Sequence, residues 1–281
     1  MRDKAGIVLG LDIGGSSTKA AAFSESSQLE SCHVTASDPL SSAYGALGRF
    51  LFVNNLAISE LSRIVLTGVG SAYLKNPMFG VPTYLCAEFQ AVALGGLYAA
   101  KKERAIVVSM GTGTSIVLGD KEAHEHIIGS GVGGGTLLGL SQALLKIREF
   151  DSLNELAASG ELSHVDLTVG DLTPVGIPGL SKETTAANFG KLTERASEAD
   201  LAAGLINLVF QSLGTAAILS AKVKNCETIV FIGSLAKSRA GQRSLKEFAK
   251  LYNKEIIIPE EPEFATARGA ALAQRDLQKL E

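Results

Sequence analysis

Tryptophan is absent from the 281 residues, and aromatic side chains of all kinds make up only 6% of them. So few flat side chains argue against a surface that stacks nucleic-acid bases. An excess of positive charge is missing too. Lys and Arg number 26 against 29 Asp and Glu, a formal net charge of −3, which leaves no basic field for nucleic acid or an anionic membrane. Cysteine is scarce: Cys32, Cys86 and Cys226 are odd in number, widely spaced and never in a C-x-x-C pair. That usage excludes a disulfide framework, suggests no zinc or iron–sulfur site, and fits a reducing, cytoplasmic compartment. His33, His124, His126 and His164 add no metal-ligand spacing. The opening residues, MRDKAGIVLG, contain no apolar run of signal-peptide length.

Between Leu201 and Ala221 no residue is charged, a length sufficient to cross a bilayer. Asn207, Gln211, Ser212, Thr215 and Ser220 interrupt that stretch, and a lone span with so many polar groups suits lipid poorly. A helix buried between layers of a soluble protein is the expected reading, with no membrane partner.

Glycine, by contrast, is plentiful at 30 residues, and it is clustered. With 46% hydrophobic and 20% charged residues the chain reads as one large or two medium α/β domains. Gly6–Leu11, Thr18–Phe23 and Leu29–Val34 form a β-meander, with the polar SESSQ as its second turn. A helix over Ser41–Leu56 and strands at Arg63–Thr67 and Thr83–Cys86 follow, then a helix over Ala87–Ala100. The style then repeats. Strands are expected at Ala105–Met110, Ser115–Gly119 and His124–Ile128, then helices over Thr136–Ile147 and Asp151–Ser159. Residues 160–185 read as mostly loop. A long helix over 200–223, a strand at Thr228–Ile232, a helix near 241–252, a strand at Glu255–Ile258 and a closing helix over 265–280 complete the chain. Two β-turn-β units, each followed by alternating helices and strands, predict a duplicated mixed-sheet α/β architecture. The expected lobes are 1–100, onto which the closing helix 265–281 crosses back, and 101–264.

Three glycine constellations carry chemistry. Asp12 is delivered by the first strand to a turn of Gly14, Gly15, Ser16 and Ser17, with Lys19 just beyond. Glycines let backbone N–H groups approach a phosphate, the hydroxyls and Lys19 add donors, and Asp12 can hold Mg²⁺ through water. Taken alone, this is equally a plain hairpin turn with a surface lysine. The second constellation, Ser109 followed by Gly111, Thr112, Gly113 and Thr114, repeats the strand–turn–strand design, and two such hairpins suggest a facing phosphate clamp. Neither is a P-loop or a Rossmann turn, because each leads into a strand rather than a helix. The third runs from Gly129 to Gly135. There Gly131, Gly133, Gly134 and Gly135 open a helix whose free N–H groups are expected to face a nucleotide.

Glu88 stands at the start of a helix after a strand, where a carboxylate can align or deprotonate an attacking hydroxyl. Glutamate in a first helical turn also simply suits the helix dipole, and position alone does not decide. Gly233 and Ser234, after the strand TIVFI, form a strand–turn pair suited to an adenosine.

DIGGSSTK, SMGTGTSI, GSGVGGGTLLGL, DLTVGDL (Asp166–Leu172) and TAANFG (Thr185–Gly190) resemble, in order and spacing, the motifs of type II pantothenate kinases. The likeness extends from about residue 8 to 272. The first motif alone implies only the actin-like ATPase superfamily; the combination is specific. The resemblance implies the two-lobed actin-like (ribonuclease H-like) ATPase fold, ATP and Mg²⁺ as cosubstrates, a homodimer, and phosphorylation of pantothenate at the head of coenzyme A synthesis. It assigns Glu88 as the catalytic carboxylate and Ser109, His126 and Phe248 to the acceptor. One position departs from the family: His126 stands where an arginine usually pairs with the substrate carboxylate, and imidazole cannot make that bidentate contact. Phe248 stands for the aromatic, usually tyrosine, that the partner subunit lends.

Two other readings remain open on the residues. One is a kinase of the same fold acting on an alcohol without that carboxylate, such as a pantothenate relative or a sugar. The other is an ATP-binding regulator without kinase activity, of which a radical-enzyme activator would need clustered cysteines that this chain lacks.

Overall fold

The computed structural model describes residues 6–24, 28–35, 38–121, 123–273 and 278–280. The chain opens with β1 (Ile7–Ile13), β2 (Thr18–Phe23) and β3 (Cys32–Val34), an antiparallel meander as expected. The middle of the expected SESSQ turn, 25–27, lies outside the described residues. Helix α1 (Pro39–Val53) starts where the Asp38 carboxylate accepts from the Ser41 N–H at 2.7 Å and proline takes the first helical position. Its buried residues Ala43, Ala46, Leu47 and Phe50 follow helical spacing and pack on Leu9, Leu11 and Ile13. Strand β4 (Leu61–Thr67) runs parallel to β1, and β5 (Thr83–Leu85) parallel to β4.

After α2 (Glu88–Ala100), the pattern recurs as a second meander of β6 (Arg104–Met110), β7 (Thr114–Asp120) and β8 (His124–Ser130). Next come α3 (Gly134–Leu145) and α4 (Phe150–Ala157). The segment expected as mostly loop is largely irregular, and it carries a small antiparallel pair from β9 (Leu167–Thr168) and β10 (Thr185–Ala187), with one helical turn, α5 (Val169–Leu172), between them. The reason is a buried carboxylate. Asp166 accepts from the Phe189 N–H (2.9 Å), Asn188 Nδ2 (3.2 Å) and Asn207 Nδ2 (2.7 Å), drawing distant residues together.

Helix α6 (Glu198–Val223) supplies Asn207 and leads to β11 (Thr228–Ile232), parallel to β6. Then α7 (Arg239–Tyr252), β12 (Glu255–Ile257) parallel to β11, and α8 (Ala265–Leu272) follow. The expected closing helix stops at Leu272. Residues 274–277 lie outside the described set, and β13 (Gln278–Lys279) pairs antiparallel with β5, so the end of the chain widens the first sheet.

The sheets are ordered β13-β5-β4-β1-β2-β3 and β12-β11-β6-β7-β8. Leaving β13 aside, both read edge, edge-but-one, first strand, then the two meander strands, which is the expected duplication. The uncharged stretch lies in α6, which among the described helices is the one long and apolar enough to span a bilayer. In its most apolar window, 67% of the residues are buried inside the protein.

Two helices join the halves. From the first hundred residues, α2 lays Val92, Ala93 and Leu97 on Val107, Val117 and Val230 of the second sheet, whereas α8 packs on β1, β2 and β4 of the first. The two helices meet backbone to backbone. A Cβ on Gly95 would lie 1.9 Å from the Ala265 carbonyl oxygen, and one on Gly269 would lie 1.9 Å from that of Ala91. Gly95→Ala is therefore expected to destabilise the protein by about 1–3 kcal/mol through forced separation of the helices, read as a lower urea midpoint at unchanged slope.

Candidate active site

The ends of β1 and β6, equivalent strands of the two sheets, point their turns at one another. The first turn is closed by the Gly14 N–H donating to the Ser17 carbonyl (3.1 Å), the second by the Gly111 N–H donating to that of Gly113 (2.9 Å). Ser16 Oγ and Thr112 Oγ1 are hydrogen-bonded across the gap at 3.1 Å. Around them lies a cleft of about 560 Å³ lined by Asp12, Gly14, Gly15, Ser16, Ser17 and Lys19 from one side and by Ser109 and Gly111 to Ser115 from the other. Both hairpins expected from the sequence thus meet in one place.

The third constellation works differently from expectation. The Gly134 and Gly135 N–H groups are not free: they donate to the carbonyls of Gly111 (2.9 Å) and Thr112 (2.8 Å). A Cβ at Gly133 would sit 2.7 Å from the Thr112 carbonyl, and one at Gly134 2.9 Å from that of Gly111. These glycines let the start of α3 seat directly under the second turn. Gly134 and Gly135 still line the cleft, but Gly131 and Gly133 do not. Gly233 lies just behind the wall, held at φ 95° with its N–H on the Pro262 carbonyl (2.8 Å), and it turns Ser234 and Leu235 into the cleft.

Two carboxyl groups share the cleft. Burial pushes the Asp12 carboxyl above its ordinary range, partly offset by the positive charge of Lys19. Glu88, the first residue of α2, is also raised, first by partial loss of solvent and then by the negative charge of Asp12. A carboxyl poised upward in this way is suited to accept a proton near neutral pH.

Sequence reasoning missed Gly68. It follows β4 at φ 82°, and a Cβ there would lie 2.7 Å from Asp12 Oδ1, so glycine alone leaves room for that carboxylate. The available signal was the strand RIVLT running into Gly68, the same strand-to-glycine step as at Gly233. Also missed were Thr35 and Val69, and the apolar trio Leu138, Phe150 and Leu235 beside Ser234.

His126 lies at the rim, outside the lining. In the β7–β8 ladder Ile116 faces Ile128 but Val117 faces His126, so Ile127 is an extra residue in a bulge. Val117 points toward α2, and the bulge therefore turns His126 to that side, stacked on Phe89 at 4.0 Å between ring centroids and 10° between planes. Phe89 is the neighbour of Glu88. Phe248 sits away from the cleft of its own chain, packed over Gly214 of α6 and 5.6 Å from the Tyr252 ring.

A protein-family model described as Fumble matches residues 98–257. The chain is 31% identical over 274 residues to a type II pantothenate kinase of Bacillus cereus, covering 94% of this chain and 97% of that one. The chain belongs to the type II pantothenate kinase family. Membership accounts for the order of its glycine motifs and for the DLTVGDL and TAANFG blocks, which the structure gathers around Asp166. Among solved structures, the activator of 2-hydroxyisocaproyl-CoA dehydratase from Clostridium difficile, with bound ADPNP, superposes with a TM-score of 0.69 at 18% identity, over 95% of this chain and 93% of that one. Component A of (R)-2-hydroxyglutaryl-CoA dehydratase from Acidaminococcus fermentans gives 0.68 at 15% identity, over 95% and 96%. These likenesses concern the fold, which is the actin-like ATPase fold with duplicated mixed sheets. Here Cys32, Cys86 and Cys226 are all free and buried.

Proposed function

We propose that the protein transfers the γ-phosphoryl group of ATP to the primary hydroxyl of pantothenate, the first step of coenzyme A biosynthesis. The observation that carries this reading is the placement of Glu88 beside Asp12 in a cleft formed by two hydroxyl-rich glycine turns, in a chain of this family. Backbone N–H groups of the turns, with Ser16, Ser17, Thr112, Thr114 and Lys19, hold the phosphates. Glu88 takes the proton of the acceptor hydroxyl as it attacks, and Asp12 stays ionised beneath the phosphates. The lobes 1–100 with the closing helix, and 101–264, are each centred on one sheet, with α2 of the first lobe packed on the sheet of the second.

Among the described residues no three His, Cys, Asp or Glu side chains gather to hold a metal by themselves. Two neighbouring carboxyls, Asp12 raised by burial and Glu88 raised in part by the negative charge of Asp12, fit a cation brought in on phosphates, as Mg²⁺ is usually bound. Asp12 would hold it through water, and Mg²⁺ would neutralise phosphate charge when present.

Leu138, Phe150 and Leu235 are assigned to the adenine, next to Ser234. Phe150→Ala is expected to raise the KM for ATP about tenfold, the loss of one stacked base contact, with the acceptor KM unchanged in steady-state assays. We further place the protein in the cytoplasm as a homodimer, in which Phe248 serves the partner's cleft, without nucleic-acid or membrane partners.

A second reading, phosphorylation of an alcohol lacking the carboxylate, is favoured by the His126–Phe89 stack, since imidazole cannot replace a guanidinium fork. ADP release with Mg·ATP, compared with and without pantothenate, tests both. Pantothenate-dependent turnover supports the first; turnover only with uncharged relatives supports the second.

A further inference from the structure

Arg268 is a buried cation outside the cleft, with 5% of its side chain exposed. Its guanidinium meets groups from both halves of the molecule. From the first sheet, Ser31 Oγ accepts at 3.3 Å. The Gln28 amide, turned so that its oxygen faces Arg268, accepts from Nη2 at 2.7 Å and Nε at 3.2 Å. Ser31 and Gln28 belong to the connection between β2 and β3. The opposite partner is the Glu261 carboxylate, in the segment that leaves β12 of the second sheet. Glu261 is held at φ 48°, a left-handed conformation that glutamate seldom adopts. Its neighbour Pro262 accepts the Gly233 N–H at 2.8 Å.

We propose that Arg268 is a positioning residue for phosphoryl transfer, tying the β2–β3 hairpin to the Glu261 segment and so fixing how the first phosphate turn faces the Gly233–Ser234 turn. One end of the tie is strand β2, whose other end carries Thr18 and Lys19. The other end is one residue from the carbonyl that anchors Gly233. The carrier helix itself places Thr266 in the cleft wall. Arg268 is buried but the Glu261 side chain is 53% exposed, so solvent screens the pair and its charge attraction alone stabilises the fold little. What it supplies is a set of directional bonds, and here they run between the two sheets. Planar, five-donor geometry lets one side chain serve all three partners, which a lysine ammonium cannot do in the same directions.

This inference rests on the proposed nucleotide site, and the test separates the two. Arg268→Met combined with Glu261→Gln removes both charges and leaves no orphan, and Arg268→Lys is the conservative counterpart. Binding of Mg·ATP by calorimetry, steady-state kinetics and thermal unfolding are measured for each. The double variant is expected to stay folded, with the KM and Kd for ATP raised about tenfold, kcat lowered, and the pantothenate KM unchanged. Arg268→Lys is expected to recover only part of the ATP affinity. Unchanged ATP affinity and kcat per folded molecule, with only a lower Tm, would reduce Arg268 to a structural role and overturn the proposal. Wild-type protein that fails to bind Mg·ATP would overturn the nucleotide site first, and this inference with it.

Discussion

Glu88→Gln is expected to lower kcat by about 10²–10⁴, the usual contribution of a positioned general base, while Mg·ATP still binds. The substitution keeps the size and one acceptor oxygen and removes the charge with its basicity, so a helix-end role would show in stability and a catalytic one in kcat. It therefore separates a catalytic role from the favourable placement of an acid at the start of α2. The pH profile carries a second signature. A general base at Glu88 works ionised, so in the proposed role activity falls as pH drops through its pKa, which burial and the Asp12 charge hold above the ordinary 4.5. The acid limb of kcat/KM should accordingly lie above the range of an unperturbed glutamate. Single-turnover phosphoryl transfer across that range is the measurement, and near wild-type rates in the Gln variant would leave Glu88 as a helix-end acid only.

Asp12→Asn is expected to act in opposite directions on activity and stability. With the carboxylate proposed to lie beneath the phosphates removed, kcat/KM for ATP should fall about 10²–10³-fold, the effect of withdrawing several kcal/mol of charge stabilisation. Stability should rise. Burial raises the Asp12 pKa above its ordinary 3.8, so the folded state holds the proton more tightly than the unfolded chain. That preference favours folding while the group is protonated, and it is lost as pH climbs through the folded pKa. At neutral pH the ionised carboxylate costs the fold, and asparagine removes the cost. Thermal unfolding should show a higher Tm for the variant at pH 7, by about 2–4 °C per kcal/mol gained, and the gap should close toward pH 3.8 and below. A lower Tm at pH 7 would mean that Asp12 is better compensated by Lys19 than its burial implies.

The positions of both residues were legible in the sequence because their placement is local, while the roles expected of them came from the family resemblance. A strand carries Asp12 to a double-glycine turn, and a strand followed by Glu88 opens a helix; these patterns need no knowledge of distant contacts. The duplicated hairpins were legible for the same reason. What escaped is tertiary. No pattern near residue 134 says that its N–H is taken by the carbonyl of Gly111, so helix-end donors were expected to be free when they are engaged. Gly68 became a site residue only because β4 lies beside β1 in parallel register, placing Thr67 across from Asp12. The small sheet of β9 and β10 depends on Asp166 finding Asn207, 41 residues away. Likewise β13 exists through its pairing with β5, and helical spacing in the preceding residues could not announce it.

Backbone packed on backbone leaves no half-steps for variation. A leucine core can drift to isoleucine or methionine because neighbouring side chains repack around it. At Gly95 and Gly269 the first atom that could be added already overlaps a peptide carbonyl, so drift there has no small move to begin with. At Gly48 and Gly139, by contrast, a Cβ would meet nothing within 4 Å. Substitution is thus sterically open at these positions of α1 and α3. At the seam where the two halves touch it is closed, and a change in geometry there has to come from both helices at once.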